Sequence, residues 1–213
     1  MSMARTDVGF AGGAVNVPVV HAEGGVASKR IVTAYGFWVF LLSDVVMFSA
    51  FFAAYVVLVN MTDGGPSGRD LFNLSIVALE TGCLLLSSFT CGVASLGARA
   101  RNNSWYYGGM IATAILGVAF LLLEFRDFTN LIAQGAGPSR SAFLSAYFAL
   151  VGCHGVHVTM GVLFLLTMMA QVYAKGYRPD ILRRVLCFGL FWHTLDIIWV
   201  GIFSVVYLLG VAP

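Results

Sequence analysis

The chain has 213 residues, of which 59% are hydrophobic and 10% charged, with a formal net charge of +2. Ordinary soluble domains carry about 25% charged residues, so the composition excludes a water-soluble fold; the twelve basic residues, scattered over several loops, exclude a nucleic-acid-binding patch. The apolar residues form continuous blocks of membrane-spanning length instead of short alternating segments, which argues against a β-barrel and for an all-α membrane protein.

Residues 1–30 read as a cytoplasmic tail. Asn16 and Pro18 interrupt the weakly apolar part, and Lys29 and Arg30 follow it instead of preceding it, so a signal peptide is not expected. The transmembrane domain is expected over 31–213, as a five-helix bundle with spans at about 31–59, 71–97, 105–125, 141–174 and 182–210. The separators "NMTDGGPSGRD", "ARARNNS", "RDFTNLIAQGAGPSR" and "KGYRPD" carry turn-forming residues.

The first span holds Asp44 on a stripe with Phe37, Phe40, Phe48, Phe51 and Tyr55, an aromatic face of the kind that packed helices carry. In the second span Glu80 opens a ladder of small residues at intervals of four (Cys83, Ser87, Cys91, Ser95) that allows another helix to approach closely. Glu124 falls near the end of the third span, within reach of the interface. The fourth contains "GCHGVHVTMG", with His154 and His157 on one face beside Gly152, Gly155 and Gly161; the fifth contains His193 and Asp196, the latter on a stripe with Trp192 and Trp199. The four cysteines (Cys83, Cys91, Cys153, Cys187) lack metal-site spacing and read as small packing residues.

Charge sets the expected direction. Arg5, Lys29, Arg30, Arg99, Arg101, Lys175, Arg178, Arg183 and Arg184 fall on one side of a five-span chain, against Arg69, Arg126 and Arg140 on the other. The basic side is the cytoplasmic one, placing the N-terminus in the cytoplasm and the C-terminus outside.

Ionisable groups inside a bilayer mark functional sites by default. Asp44, Glu80, His154, His157, His193 and Asp196 are therefore the candidates, each about 14 Å or more from a span end at about 1.5 Å per residue. Three readings stand open for the histidines: polar contacts between helices, ligation of a heme or metal, and proton transfer. Close-packed glycines and available carboxylates favour the first. A stand-alone transporter built on inverted repeats and a small b-type cytochrome are the rival functions.

Taken together, "GFWVFLLSDVVMFSAFF", "FLSAYFALVGCHGVHVTMG" and "LFWHTLDIIWVGIFSVVYL" resemble subunit III of the heme-copper respiratory oxidases, from about residue 35 to 210. The "NMTDGGPSGRDLF" loop and "LLEFRDF" resemble the cytochrome o ubiquinol oxidase branch, the alternative being a cytochrome c oxidase subunit III. Thr194 departs from the aromatic residue that the family often has there, and Asp44 stands where many relatives have Glu. The resemblance implies a multi-pass subunit of the bacterial inner membrane, without catalytic residues, heme or copper of its own. It implies a catalytic subunit I that carries heme and copper, with subunits II and IV as further partners. It also implies phospholipids bound in a cleft between the first two spans and the rest, as in seven-span members, and a part in assembly and proton uptake in a proton-pumping oxidase of the aerobic chain. Asp44, Glu80, His154, His157, His193 and Asp196 match the family's buried polar set.

Overall fold

The computed structural model describes residues 28–208 and Gly210; the expected tail, apart from its last three residues, and the final "VAP" lie outside the described residues. Five long helices form: α1 (Lys29–Leu58), α3 (Leu74–Arg99), α4 (Asn103–Ala133), α5 (Ala142–Lys175) and α6 (Pro179–Ile202), the last continuing as a π-helical turn (Phe203–Leu208). A short α2 (Gly68–Leu71) sits in the first connection. All five are long and apolar enough to cross a membrane, which matches the expected fold class.

The buried positions explain why these helices stay together. On α3 Val77, Glu80, Leu84, Ser87, Cys91, Ala94 and Ala98 alternate by three and four residues, with Gly97 buried beside the last. The same rhythm runs through Leu144, Tyr147, Val151, His154, Val158, Gly161, Leu165, Met168 and Val172 on α5. A repeat averaging 3.5 residues keeps one seam facing its neighbour along the whole helix. The expected four-residue ladder is thereby corrected: Ser87 and Cys91 are in the α3 seam, but Cys83 and Ser95 are only half-buried beside it.

α3 and α4 form a tight antiparallel hairpin capped by Asn102, whose side chain accepts from the backbone N–H groups of Ser104 and Trp105. Two glycines permit its closeness. A Cβ on Gly97 would lie 2.6 Å from the Tyr106 nitrogen, and one on Gly109 would lie 2.8 Å from both Ala94 N and Thr90 O. Such spacing is the small-residue helix contact that membrane bundles rely on.

α6 is the central helix, buried around most of its circumference. Its Trp192 indole lies between Gly117 of α4 and Gly161 of α5, each of whose added Cβ would come within 2.9 Å of the ring. α1 is the opposite case. It packs on α5 and α6 but fully buries only Leu41, Phe48 and Tyr55, one residue every two turns; Phe37, Met47, Phe51, Phe52 and Leu58 pack half-buried beside them, and most of its other apolar side chains face outward.

Three expected boundaries move. The third span does not stop near residue 125: α4 continues to Ala133, because Phe128 and Leu131 carry its packed seam onward while Arg126, Thr129 and Asn130 occupy the exposed face. It ends at Gly135, whose φ of 77° suits glycine. The second span starts at Leu74, capped by the Asn73 side chain, and Phe72 before it plugs the bundle against Phe143, Tyr147 and Tyr207. Glu80 consequently lies about 9 Å into its helix, less deep than the sequence spacing suggested. The fifth long helix begins at Pro179, before the expected 182.

Candidate functional site

The buried polar groups fall into three layers along the bundle. The first is a run of hydroxyls along α3, from Thr81 beside Glu80 to Thr90, that holds α4 and α6. The Trp192 Nε1–H donates to Ser87 Oγ at 3.0 Å, and the Trp199 Nε1–H donates to Thr81 Oγ1 at 3.0 Å. Thr90 pairs with Thr113 of α4 at 2.8 Å. Next to them Ser88 Oγ and His193 Nδ1 share a hydrogen bond of 2.6 Å. Asp196, one turn along α6, lies beside the same serine, but its carboxylate oxygens complete no hydrogen bond. Ser88, His193 and Asp196 line a notch of about 360 Å³ whose walls include Leu85, Ile197 and Val200.

His154 defines the second layer. It is fully buried and neither ring nitrogen has a hydrogen-bond partner. Instead its ring contacts Trp199 at 5.1 Å, Phe120 at 5.8 Å and Phe48 at 6.2 Å, centroid to centroid. Aromatic rings fill the space a heme would need, so these surroundings do not fit a macrocycle. His157 is half-buried, touches Phe48 at 5.3 Å and places Nδ1 2.8 Å from the Cys153 carbonyl one turn back in its own helix. The two histidines do share the face toward α1, as their spacing predicts. Neither makes a hydrogen bond to another helix among the described residues, because α1 offers them a phenyl ring. Of the glycines beside them, Gly161 packs on Phe191 and Trp192, but a Cβ on Gly155 would meet open space.

The third layer lies at the end of the bundle where α4 finishes and α5 begins. Glu80 of α3 and Glu124 and Asp127 of α4 are close enough for their charges to interact, with Tyr147 and Tyr207 beside them. The two tyrosine hydroxyls are 3.0 Å apart. Both Glu124 oxygens and Glu80 Oε1 lack hydrogen-bond partners within the chain. Glu124 was expected to reach the interface; it is buried instead, because it continues the Met110, Thr113, Gly117, Phe120 seam of α4. That rhythm was the signal for including it. Asp44 is half-buried on α1, near Cys153 of α5. Among the described residues no three of the His, Cys, Asp and Glu side chains converge as a metal site. All four cysteines are free.

The layers therefore provide hydrogen-bonded joints between helices, a histidine in an aromatic cage, and carboxyl groups with unused acceptor capacity. Such carboxyls can bind water, accept a donor or pass a proton. Residues 22–211 match the family described as Cytochrome c oxidase subunit III. The chain is 48% identical over 178 residues to the cytochrome bo(3) ubiquinol oxidase subunit 3 of Pseudomonas aeruginosa, covering 84% of this chain and 85% of that one. It is 46% identical to the subunit of the same name from Pseudomonas putida, covering 84% and 86%. A quinol oxidase subunit 3 of Bacillus subtilis is 39% identical over 82% of this chain and 86% of its own length. The chain belongs to the cytochrome c oxidase subunit III family. It is a multi-pass inner-membrane protein.

Proposed function

We propose that this chain is subunit III of a proton-pumping heme-copper terminal oxidase that takes electrons from ubiquinol. The observation that carries this is the extent of the likeness to subunits named for quinol oxidases, which covers 84% of the chain at up to 48% identity. The subunit is non-catalytic: it holds no heme or copper, and both reside in a partner subunit I, with subunits II and IV and membrane phospholipid completing its surroundings. The outward apolar face of α1 suits lateral docking in the bilayer, since only three of its side chains are fully buried within the chain. Asp44, Glu80, His154, His157, His193 and Asp196 serve packing and support proton uptake by the catalytic subunit. The basic end of the bundle, with Lys29, Arg30, Arg99, Arg101, Lys175, Arg178, Arg183 and Arg184, faces the cytoplasm.

The test is copurification of the tagged chain in mild detergent. A large, histidine-rich membrane subunit should accompany it in equal amount, together with heme absorption and ubiquinol-dependent oxygen uptake. Recovery of a heme-free homo-oligomer refutes the assignment, and uptake driven by reduced cytochrome c alone refutes the quinol branch. A reporter fused after Pro213 should be active only outside the cytoplasm; cytoplasmic activity refutes the orientation.

A further inference from the structure

At the basic end, α3, α6 and the first turn of α1 line a slot of about 370 Å³. Its mouth carries Arg30, Arg99 and Arg183, and its walls below are formed by Gly92, Leu186 and Leu190 among other small or apolar residues. Among the described residues none of these three guanidinium groups has an ion-pair or hydrogen-bond partner. The floor is His193, ten residues along α6 from Arg183 and therefore about 15 Å deeper. That depth is half of a hydrocarbon core of about 30 Å, the reach of one acyl chain in one leaflet. The slot has the outline of a lipid: a cationic rim at the headgroup level over a greasy channel that stops at the bilayer midplane.

We propose that this slot binds one anionic glycerophospholipid, with its phosphate held by Arg30, Arg99 and Arg183 and one acyl chain lying along α3 and α6 down to His193. Cationic rims between transmembrane helices attract anionic headgroups, and each arginine near the surface contributes about fivefold in affinity. The two glycines on the walls keep the channel open. A Cβ on Gly92 would meet nothing within 4 Å, and one on Gly189 would meet only Ser95 Oγ at 3.5 Å. The position is set by α3 and α6, not by a cleft beside the first two spans. The inference deepens the lipid element of the proposed function and rests on the basic end lying in a leaflet that contains anionic lipid.

The experiment uses the purified complex that contains this chain. It is stripped of lipid with detergent and re-equilibrated with vesicles of phosphatidylglycerol or phosphatidylcholine, and bound lipid per chain is then counted by native mass spectrometry. One phosphatidylglycerol should be retained per chain and phosphatidylcholine should not. The double substitution Arg99→Gln with Arg183→Gln should weaken phosphatidylglycerol binding about 30-fold. Gly92→Leu, which fills the channel and leaves every charge in place, should abolish it, whereas Gly82→Leu, also facing open space, should not. Equal retention of both lipids, full retention by Gly92→Leu, or displacement of the lipid by millimolar inorganic phosphate would each overturn the proposal. The subunit stoichiometry read in the same spectra keeps the two readings apart: absence of oxidase subunits from the wild type counts against the proposed function, not against the slot.

Discussion

Gly109→Ala isolates how much of the bundle depends on the close approach of α3 and α4. A Cβ at this position lies 2.8 Å from the Ala94 side chain, the Ala94 nitrogen and the Thr90 carbonyl oxygen. Unstrained contacts between carbons fall at about 3.5–4.0 Å, so the helices must part locally by about 0.7–1 Å, a gap that forfeits about a quarter to a half of each dispersion contact there. Two of the three obstacles are backbone atoms within a helix and cannot swing aside. Overpacking of this kind costs about 1–3 kcal/mol. The gain of about 1 kcal/mol that Ala brings to a soluble helix largely cancels, because membrane helices persist when the bundle separates. Gly108→Ala is the matched control, one residue away with nothing within 4 Å of its Cβ. The assay is unfolding by a rising mole fraction of SDS, followed through fluorescence of the buried Trp192 and Trp199. At about 2 kcal/mol, Gly109→Ala should shift the folded-to-unfolded ratio about 30-fold, and Gly108→Ala should behave like wild type. Coincident curves for the two variants would refute the argument that backbone proximity sets this interface.

Ser87→Ala should cost about 1–3 kcal/mol in the same titration, because it leaves the buried Trp192 N–H without its acceptor; an unchanged midpoint would show that the bond contributes nothing. His154→Phe should stay within about 1.5 kcal/mol of wild type, while His154→Ala should lose about 3 kcal/mol by opening a cavity; a Phe variant as damaged as the Ala variant would mean that the imidazole nitrogens matter. In the oxidase complex, His157→Ala should weaken retention of this subunit in detergent and leave the Soret band unmoved, whereas a shifted band would mark a heme ligand.

The number and class of the helices were legible because hydropathy is a local property, set block by block. Where helices end was less so. Arg126, Asp127, Thr129 and Asn130 look like a loop in sequence, yet Phe128 and Leu131 keep α4 on the bundle for two more turns. The same hidden continuation buries Glu124, which the apolar block alone puts at a span end. The four-residue ladder on α3 matched the small residues, but packing followed the alternation of three and four that the larger side chains also obey. His154 and His157 were rightly put on one face; that Phe48 would be what they meet depends on how α1 lies across α5, which spacing within a helix does not encode. The Ser88–His193 bond is of the same kind: residues 105 apart in sequence are joined by tertiary packing alone.

The seam of α1 has a consequence for biosynthesis. Leu41, Phe48 and Tyr55 dock on α5 and α6, the last two helices to be made. When α1 is complete, roughly 140 residues remain before α6 is finished, a wait of about 7–28 s at about 5–20 residues per second. Until α5 emerges, the first helix sits in the bilayer with neither partner made, while α3 and α4 can already close on each other. A chain stopped after α4 would therefore hold a finished hairpin beside an α1 that has no helix to dock on, so the first span is the last to find its place.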